Sequence, residues 1–222
     1  MESRAPLDVS DFIRTHLPLA PLAFVPEIRL HLAHPGSGLR RLAERDKEMF
    51  ESPYWAFPWA GGLALARYIL DRPETVRGRR VLDLGAGSGV VAIAAAKAGA
   101  SEVIAADVNR YAIAALQLNA TANEVGVSAI CDDLTAGAPP AVDLIAIGDL
   151  FYERDLAERV TAFADRCLAV GVDVLIGDPG RAFLPRTRLR LLAEYAVADF
   201  GERSGAASGR SSVFALEKIG DR

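Results

Sequence analysis

The sequence predicts an α/β protein in which a mostly parallel, doubly wound sheet of seven strands is closed by an antiparallel hairpin. Three observations carry this reading. Val81 to Leu84 is an apolar strand that runs directly into the glycine-dense turn Gly85-Ala86-Gly87-Ser88-Gly89. From there strand and helix patterns alternate as far as residue 176, the mark of βαβ units and hence of parallel strands. The last two apolar runs, 195–200 and 212–216, are joined by a stretch dense in Gly, Ser and Ala, which suits a hairpin rather than a crossover.

Taken in order, Val9 to Leu17 reads as a short helix, Val25 to Leu32 as a strand and Leu39 to Glu44 as a further turn of helix. Residues 1–50 are expected to form a small cap on a domain spanning 51–222. The stretch 53–62, Pro-Tyr-Trp-Ala-Phe-Pro-Trp-Ala-Gly-Gly, holds both tryptophans of the chain, and Leu63 to Leu70 continues it as a helix. After the glycine turn, Val90 to Ala98 is an alanine-rich helix stopped by Gly99. Val103 to Ala106 is the second strand. Arg110 to Asn123 follows as a helix with Ile113, Leu116 and Ala120 at helical spacing. Strands are expected at 127–130 and 142–147, a helix at 155–168 and a fifth strand at 172–176. Thr187 to Leu192 is expected to belong to another helix, ahead of the terminal hairpin, and 203–212 to be a mobile loop.

A chain of 222 residues is long enough for one full core. Apolar residues make up 51%, yet the longest apolar stretch, 90–100, is broken by Lys97 and falls short of the roughly 18 residues that a bilayer helix needs. A net charge of −4 argues against a nucleic-acid surface, and Arg77, Arg79, Arg80, Arg186, Arg188 and Arg190 read as solvated edges of turns and helices. Glu2, Asp8 and Asp11 sit where a leader would be basic and then apolar, so a cytoplasmic monomer is expected. Cys131 and Cys167 lack C-x-x-C spacing and read as buried free thiols. His31 and His34 lie in an extended stretch bracketed by Pro26 and Pro35, so no metal site is expected.

The chemistry starts at the glycine turn. Its spacing is G-x-G-x-G, with Val90 where a dinucleotide fingerprint needs its third glycine. Eighteen residues after Gly89 the second strand ends at Asp107, whose carboxylate can accept hydrogen bonds from a ribose diol. Together these point to a nucleoside-containing cofactor; the bland alternative is a strand-to-helix turn in which glycine only supplies positive φ. Asp149, just after the fourth strand, stands at the carboxyl edge where ligands of such sheets bind, or else caps a helix ahead of two core aromatics.

The turn 83–89, the motif Trp55-Ala56-Phe57-Pro58-Trp59-Ala60-Gly61-Gly62, the tetrad Asp149-Leu150-Phe151-Tyr152 and the turn Gly177-Asp178-Pro179-Gly180-Arg181 resemble, as a set, the electron transfer flavoprotein β-subunit lysine methyltransferases. These belong to the Rossmann-like, seven-strand class I methyltransferases, and the resemblance extends from about Phe24 onward. It implies transfer of a methyl group from S-adenosyl-L-methionine to protein lysines, with the electron transfer flavoprotein β subunit as the candidate substrate. Cofactor contacts would fall on Trp59, Asp83, Gly85, Ala86, Gly87, Gly89, Asp107, Val108, Asp132, Asp133 and Gly148. Asp149 and Tyr152 would be catalytic, and Trp55, Phe151 and Asp178 would meet the substrate. A methyltransferase for a ribosomal protein or a small amine would share the cofactor half, and a noncatalytic module would share the fold; both readings stay open at this point.

Overall fold

The computed structural model describes residues 8–45, 52–197 and 209–218. Helix α1 (Val9–His16) is capped by Asp8, whose carboxylate accepts from the N–H groups of Ser10 and Asp11. A small hairpin, β1 (Leu19–Pro21) with β2 (Arg29–His31), and helix α2 (Leu39–Arg45) follow. The strand expected over 25–32 is therefore only three residues long. Val25 and Ile28 are buried in the turn before it, where the Ile28 N–H donates to the Val25 carbonyl.

Next come α3 (Ala60–Asp71), β3 (Arg80–Leu84), α4 (Val90–Lys97), β4 (Glu102–Asp107), α5 (Arg110–Ala122) and β5 (Ser128–Cys131). β6 (Leu144–Gly148), α6 (Arg154–Ala169), β7 (Asp173–Asp178), β8 (Leu189–Ala196) and β9 (Arg210–Leu216) complete the order. The sheet has seven strands in the order β5-β4-β3-β6-β7-β9-β8, with β3 to β7 parallel and β9 antiparallel to both its neighbours. The central strands are apolar on both faces because helices cover both. Val81, Leu144 and Leu175 join one core with α3 and α4; Leu82, Ile145 and Ile176 join a second with α6.

The N-terminal elements dock on α5. Phe12, Ile13 and Leu17 pack with Trp55, Tyr111 and Ala115 in a third cluster. Asn119 of α5 and Asn123, the C-cap of that helix, complete the hydrogen bonding of β2. Asn123 Oδ1 accepts from the Arg29 N–H at 3.0 Å and Asn119 Oδ1 from the His31 N–H at 2.8 Å, while Asn119 Nδ2 donates to the Ser88 carbonyl at 2.9 Å. One buried side chain thus ties the hairpin to the glycine turn.

Of the helix expected over 187–192, residues 187–188 close a single 3₁₀ turn (Arg186–Arg188) and 189–192 are strand. Leu, Ala, Arg and Glu in 189–194 favour a helix locally, but pairing with β9, from Leu189 opposite Leu216 to Ala196 opposite Arg210, takes up the backbone polar groups in a ladder. A bulge between Leu191 and Ala193 adjusts the register. Residues 198–200 of the expected strand and 203–208 of the expected loop lie outside the described residues. Cys167 is buried as expected, whereas Cys131, at the end of the sheet's edge strand, is exposed. No described helix is long and apolar enough to cross a membrane, and the described residues contain no cluster that could hold a metal ion.

Asp83 does structural work. Gly89 offers α4 no side-chain cap, and the buried Asp83 carboxylate, reaching from β3, accepts from the Ala92 N–H at 2.9 Å instead. Burial pushes this carboxyl up to about 7, against the Ala92 bond and with help from the Asp107 charge. The folded state therefore holds the proton more tightly than the unfolded chain, where an aspartate titrates near about 4. The stability this contributes is full below pH ~4 and is lost as pH rises through about 7. Asp83→Asn keeps an acceptor for Ala92 and cannot ionise. Between pH 5 and 8 the wild-type melting temperature should accordingly fall relative to that of the variant; parallel curves would contradict this.

Candidate active site

β3 and β6 are adjacent and parallel, yet the chain visits β4 and β5 between them. Reversal of strand order leaves a crevice at the carboxyl ends, where ligands of open α/β sheets bind. A cavity of about 610 Å³ opens there, lined by the glycine turn, the ends of β4 and β6, the turn after β5, and Trp55, Trp59, Tyr152 and Arg181.

On one side Gly85 and Gly87 expose backbone to the cavity. Gly85 has φ +68°, a backbone conformation that favours glycine, and a Cβ there would also have to displace the Leu150 side chain, whose Cδ2 lies 2.6 Å away. The Asp107 carboxylate fastens this turn to β4: Oδ2 accepts from the Gly87 N–H and Oδ1 from the Asn109 N–H, each at 2.9 Å. A carboxylate at the end of β4, bordering the cavity, is an acceptor type that suits a diol. Val108 is exposed beside it, an apolar side chain suited to one face of a purine. Asp132 lines the cavity, and Asp133 caps the short 134–136 turn through the Thr135 N–H at 2.9 Å. The Thr135 hydroxyl and N–H, with Arg159 at 3.9 Å, hold the Asp133 carboxyl below the usual range against a modest desolvation. The indole N–H of Trp55 is buried without a hydrogen-bond partner, although the residue borders the cavity. Exposed backbone, a diol acceptor and an apolar flank together fit an adenosyl group.

On the other side stands Asp149, which is buried and has φ +58°. Its N–H donates to the Gly177 carbonyl at 3.0 Å. Its Oδ2 accepts from the Gly61 N–H in the first turn of α3, where the helix dipole also favours an anion. Oδ1 accepts from Arg181 Nε at 2.9 Å and is 2.8 Å from Arg181 Nη2. The Arg181 guanidinium lies 5.6 Å from the centre of the Trp59 ring. Trp59 donates its indole N–H to the Tyr54 carbonyl at 2.8 Å, and Tyr54 meets both Trp59 and Tyr152 edge-on at 5.6 and 5.7 Å. These three rings form an aromatic rim beside the carboxylate.

Of the residues expected at the site, Trp55, Trp59, Gly85, Gly87, Asp107, Val108, Asp132, Asp133, Gly148, Asp149 and Tyr152 line this one cavity. Five do not. Asp83 holds α4 from behind, Ala86 packs into the core, and Gly89 lets α4 approach Leu116 of α5. Phe151 is buried in the second core, in the same cluster as Val160 and Phe163, and walls no channel. Asp178 is also buried; its Oδ1 accepts from the Gly180 and Arg181 N–H groups at 2.6 Å each, so it shapes the turn and does not line the cavity. Sequence reading missed Tyr54 and the central place of Arg181. The signal for Arg181 was the Asp-Pro-Gly-Arg turn on the same sheet edge as Asp149.

A family model for ribosomal protein L11 methyltransferase (PrmA) matches residues 65–146. The chain is 41% identical over 184 residues to the electron transfer flavoprotein beta subunit lysine methyltransferase of Rattus norvegicus, an alignment covering 80% of this chain and 71% of that protein. With the enzyme of the same description from Xenopus laevis it shares 38% over 212 residues, covering 93% and 86%. Among solved structures, a 16S rRNA methyltransferase of Thermus thermophilus in complex with AdoMet and guanosine shares the fold, with a TM-score of 0.50 and 24% identity over 71% of this chain and 43% of that one. With its sheet order and its glycine turn, the chain belongs to the family of electron transfer flavoprotein beta subunit lysine methyltransferases and is an S-adenosylmethionine-dependent methyltransferase.

Proposed function

We propose that this enzyme methylates lysine side chains of the electron transfer flavoprotein β subunit. The observation that carries the reading is the placing of the Asp149 carboxylate and an aromatic rim on the same cavity as the glycine turn and Asp107. The names of the relatives supply the candidate substrate. The match to the L11 methyltransferase model ends at residue 146, ahead of Asp149, Tyr152 and Arg181, so it speaks for the cofactor half and not for the acceptor.

S-adenosylmethionine supplies an electrophilic methyl group on a sulfonium. The turn at 85–87, Asp107, Val108 and Asp132 would hold it. In-line displacement asks the protein mainly to position two reactants. A lysine of pKa near 10.4 is mostly protonated at neutral pH, and reacting as the free amine costs about 4–5 kcal/mol. Asp149 accepts a hydrogen bond from the amine and so turns the nitrogen lone pair toward the methyl carbon; the surplus proton leaves to water. Tyr54, Trp59 and Tyr152 flank the alkyl stem and hold methylated ammonium products by cation–π attraction of about 0.5–2 kcal/mol.

Incubation of a cell lysate with the enzyme and methyl-tritiated S-adenosylmethionine tests this. Label should concentrate in the flavoprotein β subunit and be recovered as methyl-lysine after hydrolysis. Label confined to small molecules or to a ribosomal protein would overturn the proposal.

A further inference from the structure

Orienting an amine with a carboxylate creates a conflict. An anion beside the nitrogen also favours the protonated ammonium, which cannot attack a methyl group. Asp149 acting alone would therefore work against the reaction it organises.

The structure resolves the conflict with a built ion pair. Arg181 Nε and Nη2 lie 2.9 and 2.8 Å from Asp149 Oδ1, and the Gly61 N–H, at the positive end of α3, is on Oδ2. The guanidinium is held by Asp149 and by the face of Trp59 at 5.6 Å, and the main chain that carries it is fixed by the Arg181 backbone N–H donating to Asp178 Oδ1 at 2.6 Å. Its side chain is only 24% exposed, so water screens the pair weakly. Resting on the lysine methyltransferase reading above, we propose that Arg181 is a positioning residue. It cancels the Asp149 charge so that the carboxylate remains a directional acceptor without holding the substrate lysine in its ammonium form.

Other titratable groups face the same cavity. Tyr54, Tyr152 and Glu153 flank Asp149 from the 54–59 segment and the β6–α6 turn, while Asp178 lies beneath Arg181. Asp107 stands at the end of β4, two strands from β6, and Asp132 with the Asp133–Arg159 pair follows β5, three strands away. Strands are about 4.8 Å apart, which puts those charges roughly 10–14 Å from the Asp149 strand. Arg181 is a cation in direct contact with the orienting carboxylate.

The test is the pH dependence of kcat, measured at saturating S-adenosylmethionine and purified electron transfer flavoprotein β subunit so that it reports groups in the bound complex, for wild type, Arg181→Met and Arg181→Lys. For Arg181→Met the acid limb should move to higher pH by about one unit or more, a tenfold or larger loss near pH 7 that shrinks as pH rises. Arg181→Lys keeps a positive charge and should hold the limb near its wild-type position. Affinity for S-adenosylhomocysteine should be unchanged in both. A loss by the same factor at every pH, or a limb that moves as far with lysine as with methionine, would overturn the proposal. Should Arg181→Met not fold, the limb in Arg181→Gln and in Arg181→Lys decides the matter in the same way. Failure of wild type to methylate lysine would instead refute the underlying reading.

Discussion

Asp149→Asn is expected to lower the single-turnover rate of methyl transfer by about 10²–10⁴-fold while leaving S-adenosylhomocysteine affinity within about twofold. Asparagine is the informative substitution because position 149 has φ +58°, a left-handed conformation that asparagine adopts more readily than any other side chain of this size. The backbone should therefore keep its bond from the Asp149 N–H to the Gly177 carbonyl. Everything the carboxylate does beyond that is damaged. The aspartate accepts from both the Gly61 N–H and the Arg181 guanidinium. An amide has one acceptor oxygen, so its NH₂ must face one of these donors, and the pairing with Arg181 loses its charge. Stopped turnover with intact cofactor binding separates a role toward the acceptor from one toward the cofactor. Wild-type turnover in this variant would end the assignment.

The second large effect is structural. At the start of α3 the helix backbone touches the end of β7, with glycine on both sides. A Cβ on Gly61 would meet the Gly177 carbonyl oxygen far inside contact distance, its carbon at 2.8 Å and Asp149 Oδ2 at 2.6 Å. Two of these are backbone atoms and cannot swing away. Gly61→Ala gains about 1 kcal/mol of helix propensity. It should nevertheless lose about 3 kcal/mol or more net, because overpacking against backbone exceeds the usual 1–3 kcal/mol for a crowded core. Gly62→Ala is the control. Its Cβ would sit 3.4 Å from Val90 Cγ1, an ordinary contact, so this variant should match or exceed wild-type stability. Urea unfolding of the pair reads the difference directly. Equal stability of the two would refute the close-approach explanation.

That contrast shows what sequence reading reached and where it stopped. The chain order and shared direction of β3 to β7 were legible because strand and helix patterns alternate there, with β3, β6 and β7 as continuous apolar runs buried on both faces, and the glycine turn with Asp107 is a local pattern. Strand β8 was not, since its residues favour a helix and only the partner strand 210–216, distant in sequence, makes it extended. At the site, spacing identified the carboxyl-edge residues but not which way each side chain faces. Asp149 and Phe151 are two apart after one strand, yet one lines the cavity and the other fills the core, because the left-handed turn at 149 resets the direction of the chain. Asp178 and Arg181 sit in the same turn, and only the fold shows that the aspartate shapes it while the arginine reaches across to Asp149.

Methyl transfer to a lysine at Asp149 is tested most directly by the intact mass of purified electron transfer flavoprotein β subunit after incubation with the enzyme and S-adenosylmethionine. Wild type should add mass in increments of one methyl, mapped by fragmentation to lysine, and Asp149→Asn should add none over the same time. An unchanged mass with wild-type enzyme that demonstrably binds S-adenosylhomocysteine, or methyl groups mapped to another residue type, would contradict it.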